Sequence, residues 1–564
     1  MVSLPDPRFF GVIEMRPSAS LIAAFVAVCL IALPSLVRAE EDAPASKNKS
    51  TEKPTEKPAE KTQPSEITTQ GSIDAAGQHL AYTAIAGTLT VGATDIQDAQ
   101  LDADGKPQPG SQLALNEPKE AKDAPPVARM FYVAYFKKDA KTEDRPITFF
   151  YNGGPGSSTV WLHMGSLGPK HVVTDGDRHL PAAPYKLVDN AYSLLDVSDL
   201  VFIDMPGTGF GRLLGKDAGK AFWGVDEDAS AFARFIPRFI TKYNRWNSPK
   251  FIFGESYGTT RSAILANLLQ RDKSIDLNGV ILLSQIFNFT SDIDGPRDNP
   301  GVDLPYVLAL PTYAATAWYH KRLPQQHAAL EPFLKDAEEF ATGPYSHALA
   351  LGTDVSAAEK QSVAERMHDF TGLPVAYLLK ANLRVSGGEF EKTLLDDEDL
   401  TIGRLDTRFS GPNLNPLSEG AEYDPQSSAI SSAYVSLFND YVHRELKYGD
   451  GQTYIPTALF GDVKWDMKHH DNPISLNVST DLAEALKTNP RLRVMVNGGY
   501  YDMATPFFAA QYEEKHLPIP QSLAKNIEYA WYESGHMVYV QNDSLKLLHD
   551  RVAAFIKNSQ ANAQ

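Results

Sequence analysis

The chain has 564 residues, 43% of them hydrophobic, enough to bury one large core with an inserted subdomain or two ordinary domains. Its net charge of −17 argues against nucleic acid and acidic membranes as partners, because both would repel it, and is explained by solubility alone.

Residues 1–39 read as a signal peptide. Arg8 and Arg16 precede an apolar stretch from Leu21 to Leu33, and Val37-Arg38-Ala39 offers small residues for cleavage before Glu40. An uncleaved anchor is the alternative, but the stretch is short for a span and Pro34 falls near its end. The single cysteine, Cys29, lies inside this stretch after Val28, which disfavours a lipoprotein site. The expected mature protein is therefore free of cysteine and exported, periplasmic or extracellular. Residues 40–66, with the repeat Thr51-Glu52-Lys53-Pro54-Thr55-Glu56-Lys57-Pro58, lack the apolar surface to fold and read as a disordered linker.

Folding is expected to start near Ile67, and 67–288 to form the first part of a core. Alternating apolar residues over His79–Val91 and Arg129–Phe136 predict an antiparallel hairpin. Ile147–Tyr151 is a strand that opens into Asn152-Gly153-Gly154-Pro155-Gly156-Ser157-Ser158, where a Cβ would hold the backbone amides away from a ligand. Leu200–Ile203 and Val280–Leu283 suit central parallel strands. Between them lies a helix from Asp226 to Tyr243 with Phe232, Phe235, Ile236, Phe239 and Ile240 on its core face. Phe251-Ile252-Phe253 runs into Gly254-Glu255-Ser256-Tyr257-Gly258 and then a helical stretch, Arg261–Leu269.

From 289 to 485 the strand–helix rhythm fails, and helical patches such as Tyr313–His320 and Ala357–Phe370 are separated by Pro- and Gly-rich breaks, as in an insertion. Tyr313, Trp318, Tyr319 and Phe390 belong to its core or to a pocket wall. His469-His470-Asp471 lacks further ligands at regular spacing, so a surface loop and no metal are expected. The second part of the core, 486–564, holds a strand at Leu492–Val496 ending in Asn497-Gly498-Gly499-Tyr500-Tyr501-Asp502. A strand at Ile527–Tyr532 leads to Glu533-Ser534-Gly535-His536-Met537-Val538. A last helix follows, capped by Asn542 and burying Leu545, Leu548, Val552 and Phe555.

A strand, a Gly-x-Ser-x-Gly turn and a helix make the nucleophile elbow of an α/β-hydrolase fold, with a mostly parallel central sheet and a largely helical cap insertion. Ser256 is then the nucleophile. Asp502 and His536 follow in the chain order this fold requires, each on a loop after a late strand, as orienting acid and general base. The N–H of Tyr257 and an amide of the 152–158 loop are candidates for stabilising an oxyanion.

Asn152-Gly153-Gly154-Pro155-Gly156, Gly254-Glu255-Ser256-Tyr257-Gly258, Gly499-x-x-Asp502 and Gly535-His536-Met537-Val538 resemble the four signatures of the serine carboxypeptidases, the carboxypeptidase Y-like family. Asp204-Met205-Pro206-Gly207-Thr208-Gly209-Phe210 is similar to a further family segment, and the motifs keep the family's order from Phe149 to Val538. The resemblance implies release of C-terminal residues from peptide substrates by Ser256, Asp502 and His536, without a cofactor. It places Gly154 and Tyr257 in the oxyanion hole. It also implies that Asn152 and Glu255 grip the terminal carboxylate, with Gly153 and Met537 alongside. A glutamate binds a carboxylate only when one of the two is protonated. Three positions depart from the family. Ser166 stands where a second glutamate is usual, Phe150 where tryptophan is, and Ser157 where cysteine is. Lacking a like-charged neighbour, Glu255 is expected to leave activity less acid-shifted than the family norm, and an optimum below about pH 5 on a blocked dipeptide contradicts this. An esterase or acyltransferase using the same triad is the alternative.

Overall fold

A computed structural model describes residues 66–102, 105–115, 120–142, 144–470 and 475–561. The expected signal peptide, all of the linker except Glu66, and Asp471 lie outside the described residues.

The described residues contain fourteen strands. Ten of them make one sheet: β1 (Glu66–Ala75), β2 (Gln78–Gly92), β3 (Val127–Lys137), β4 (Ile147–Tyr151), β5 (Asp199–Ile203), β6 (Arg212–Leu214), β7 (Lys250–Glu255), β8 (Gly279–Leu283), β9 (Arg493–Gly499) and β10 (Ile527–Tyr532). The order is β1-β2-β3-β5-β4-β7-β8-β9-β10, with β6 pairing β3. From β5 to β10 every neighbour is parallel, and β4, β5, β7 and β8 are buried along their whole length. Such strands are covered on both faces, which is why they read as unbroken apolar runs. Along β4, Ile147, Phe149 and Tyr151 point into one core and Phe150 into the other, following the two-residue pleat.

The antiparallel edge differs from the expected hairpin. β2 and β3 do pair antiparallel, from Tyr82↔Lys137 to Gly92↔Val127, but residues 93–126 separate them. The preceding half-polar strand, β1, adds to β2 and begins at Glu66, one residue inside the expected linker. Strand β9 also outruns its expected end at Val496. Asn497, Gly498 and Gly499 stay in register with Ala530, Trp531 and Tyr532, and the Asn497 side chain accepts from Tyr532 Oη at 2.9 Å.

Helices α1 (Val160–Gly165), α5 (Pro425–Arg444) and α8 (Asn542–Ala561) cover one face; α2 (Val225–Lys242), α3 (Tyr257–Lys273) and α6 (Ser479–Thr488) cover the other. Helix α8 includes Asn542, because Leu545 N–H already bonds Gln541 O, so the capping place is one residue earlier than expected. Helix α4 (Leu304–Tyr319) starts nine residues before the predicted patch. Pro305 is harmless in its first turn, where no N–H is required. With α7 (Phe507–Lys515) and residues 330–402 it builds a third core, in which Tyr313 stacks on Phe390 at 4.1 Å. Among the described residues no helix is long and apolar enough to cross a membrane.

Candidate active site

The elbow is strained in the sense its sequence implies. Ser256 sits at φ 61° and ψ −131° between the end of β7 and the start of α3, a conformation that costs a non-glycine residue about 1–3 kcal/mol. Surrounding bonds hold it there. Ser256 N–H donates to Leu283 O at 3.0 Å, and Thr259 donates to Ser256 O through N–H at 2.8 Å and Oγ1 at 2.7 Å. A Cβ on Gly254 would lie 2.2 Å from Gly258 O, and one on Gly258 would lie 2.9 Å from Tyr151 O. Both flanking glycines are therefore steric necessities. Ser256 is partly exposed, while Glu255 and Tyr257 on either side are buried.

The glycine loop abuts this turn. A Cβ on Gly153 would come within 2.4 Å of Tyr257 N and 2.6 Å of Gly258 N, so only glycine admits that approach. Gly154 follows at φ 106° on the exposed side, beside the N-terminus of α3, where backbone N–H groups lack helical partners. Asn152 is fixed from two sides: its Oδ1 accepts from Leu162 N–H at 3.0 Å, and its main-chain oxygen accepts from Arg261 Nη1 at 2.8 Å. Arg261 in turn donates to Asp228 Oδ2 at 2.6 Å, and neither side chain is exposed. Helices α2 and α3 are thereby tied to the glycine loop.

Asp502 and His536 meet at the carboxyl ends of β9 and β10. His536 Nδ1 lies 2.8 Å from Asp502 Oδ2, in a buried pair. Thr505 completes the carboxylate's shell, giving its N–H to Oδ1 at 3.0 Å and its hydroxyl to Oδ2 at 2.7 Å. Burial works to lower the imidazole's pKa, but the Asp502 carboxylate beside it outweighs this and raises it. One short step of chain connects this pair to Ser256. Leu283 O receives Ser256 N–H, and the next residue, Ser284, donates its hydroxyl to His536 O at 2.7 Å.

Glu255 is buried next to Ser256, and burial pushes it up to about 7. The expected modest shift for want of a like-charged neighbour is thereby corrected: desolvation is the largest cause, and the Asp502 carboxylate adds to it, so the carboxyl is raised without a second glutamate. Ser166 turns its hydroxyl back to Leu162 O at 2.6 Å, and Glu255 Oε2 instead accepts from Tyr539 Oη at 2.8 Å. Phe150 has no part in the site. It stacks between Phe202 and Phe253 in the core, so the missing tryptophan bears on packing alone. Ser157 accepts from Trp161 Nε1 at 2.9 Å. Met537 is buried in the same apolar cluster as Tyr434 and Tyr539.

Sequence reasoning missed Thr505, Tyr539 and Ser284, although each stands within three residues of a recognised motif or strand end. It had no signal at all for the hairpin turn 404–408, which grips the loops carrying Asp502 and His536. Met503 N–H bonds Arg404 O at 3.1 Å, Thr407 N–H bonds Tyr501 O at 2.9 Å, and His536 N–H bonds Leu405 O at 2.6 Å. Arg408 reaches Glu533 O at 2.8 Å and is paired with buried Asp406. His469 is likewise no surface residue. It is buried with Nδ1 2.6 Å from Asp226 and Nε2 2.8 Å from Asp481. Although burial opposes the charge, hydrogen bonds donated to both carboxylates raise it to about 9. Asp226, His469 and His470 do come together, but an imidazolium bonded at both nitrogens is a clamp between acids and offers no lone pair to a metal.

A family model described as serine carboxypeptidase matches residues 122–548. Among curated proteins, the chain is 32% identical over 144 residues to the pheromone-processing carboxypeptidase KEX1 of Saccharomyces cerevisiae, covering 24% of this chain and 18% of that protein. It is 30% identical over 172 residues to serine carboxypeptidase-like 33 of Arabidopsis thaliana, covering 28% of this chain and 32% of the relative. The matched segment thus spans a third or less of these relatives' own length. The crystal structure of the yeast KEX1 carboxypeptidase superposes with a TM-score of 0.48 at 15% identity, covering 84% of this chain and 91% of that one. With the family model spanning most of the chain, the protein belongs to the serine carboxypeptidase family.

Proposed function

We propose that the protein is a serine-type carboxypeptidase that releases C-terminal amino acids from peptides. Ser256 Oγ attacks the last peptide carbonyl as His536 Nε2 takes its proton, and Asp502 holds the imidazole through Nδ1. The N–H groups of Gly154 and Tyr257 receive the oxyanion. His536 then protonates the departing amino acid, and water opens the acyl-enzyme by the same route. The scheme requires no cofactor or metal.

Glu255 is the observation that carries this reading beyond a generic hydrolase. A carboxyl buried beside the nucleophile and raised to about 7 keeps its proton in mildly acidic solution, when it can donate to a terminal carboxylate. Peptide hydrolysis then needs Glu255 protonated and His536 neutral, which gives a bell-shaped pH profile. An ester without a free carboxylate shows only the histidine limb. Asn152 and Gly153 adjoin Glu255 in this reading, with Met537 behind them.

Mass spectrometry of a peptide library before and after incubation tests the proposal. Loss of single C-terminal residues by the wild type, and none by Ser256→Ala, is expected. Internal or N-terminal cuts contradict it. The alternative is an esterase or acyltransferase using the same triad, which turnover of esters alone would select. We also infer export through cleavage of 1–39, a linker over 40–65, and a cap over 289–485 between core parts 66–288 and 486–564. Sequencing the mature N-terminus tests the cleavage.

A further inference from the structure

Two phenols lie beside Glu255, those of Tyr434 and Tyr539. A Cβ on Gly165, at the end of α1, would lie 2.5 Å from Tyr434 Oη and 2.7 Å from the Tyr539 ring. Both tyrosines are fully buried, Tyr434 on α5 and Tyr539 three residues beyond His536. Tyr539 Oη donates to Glu255 Oε2 at 2.8 Å. Burial holds the Tyr539 hydroxyl far above its ordinary range, so it never loses this proton at working pH. The remaining groups facing Glu255 are His536, Asp502 and the Asn152 side chain, with Tyr434 contributing a neutral hydroxyl.

A carboxyl with one oxygen already accepting from a phenol carries its own acid proton on the other. Two neighbouring carboxyls behave differently, because they share a proton whose position depends on both. We propose that Tyr539 is a positioning residue that occupies Glu255 Oε2 and so presents the acid proton on Oε1 to a substrate's terminal carboxylate. This rests on the carboxylate-binding reading of Glu255 given above. The phenol also stabilises the ionised form of Glu255, so its removal raises that group's pKa while loosening its orientation.

Tyr539→Phe keeps the ring that fills the space over Gly165 and removes only the donor. The test is calorimetric binding of hydrocinnamate, a small aryl carboxylate, and of its amide, from about pH 5 to 9. Wild type is expected to bind the carboxylate and to lose it as pH rises through about 7. The variant should bind about tenfold more weakly at low pH and lose the ligand at a higher pH, with amide binding unchanged. In a Glu255→Gln background, Tyr539→Phe should have no effect on the pH dependence. An unchanged dissociation constant and midpoint overturn the role of Tyr539, and so does an equal loss for carboxylate and amide. Failure of wild type to prefer the carboxylate overturns it together with the Glu255 reading. Carboxylate binding that shifts as stated, in a protein that trims no peptide, overturns only the peptidase assignment.

Discussion

Replacing Arg261 by leucine separates stability from the architecture of the glycine loop. Arg261 and Asp228 form a 2.6 Å ion pair with neither side chain exposed, and the guanidinium lies over Phe232 at 4.4 Å. Asp228 Oδ1 already lacks a partner, so the substitution strands a buried carboxylate. Breaking such a pair costs about 3–5 kcal/mol. Unfolding entropy of about 2.1 cal/mol/K per residue over roughly 500 residues is about 1 kcal/mol/K, which converts the loss into a Tm drop of about 3–5 °C. The double variant Asp228→Leu/Arg261→Leu removes both charges and should recover most of that drop. Both variants lose the 2.8 Å bond to Asn152 O, so both should show KM for a blocked dipeptide raised about tenfold. Scanning calorimetry and steady-state kinetics measure the two effects. A fall in Tm under about 1 °C for the single variant, or a double variant as unstable as the single, refutes the reasoning.

Thr505→Val removes the 2.7 Å bond to Asp502 Oδ2 but keeps the backbone bond to Oδ1; kcat should fall about five- to tenfold with KM unchanged, as single-turnover kinetics will show. Ser284→Ala removes the tether to His536 O, and a similar fall in kcat with unchanged labelling of folded protein by dye is expected; full activity would show that the tether is idle. Glu514 is buried, has no partner on either oxygen, and is raised by burial and then by Glu513 to about 8. The folded state therefore holds a proton that the unfolded state releases above about 4.5, so stability is greatest at acid pH and falls as pH rises toward 8, by up to about 1.4 kcal/mol per pH unit from this group. Glu514→Gln should flatten the decline of Tm between about pH 5 and 8, and an unchanged slope rejects the assignment.

Spacing and backbone sterics explain what was legible. The central strands are near-continuous apolar runs, and the glycines at 153, 254 and 258 stand where a Cβ meets backbone within 3 Å. Such constraints are local, so they show in a few consecutive residues. The start of α4 was obscured by Pro305, and the end of β9 by two glycines that suggested a turn.

Sequence alone determined the order of strand, elbow, acid loop and histidine loop, because each is written in short-range chemistry. Tertiary structure decided what surrounds them. The phenol on Glu255, the arginine under Asn152 and the turn 404–408 across the Asp502 and His536 loops come from positions tens to hundreds of residues away. Their roles follow from burial and from hydrogen bonds that must be satisfied wherever the fold brings polar groups together, and no local pattern encodes such meetings.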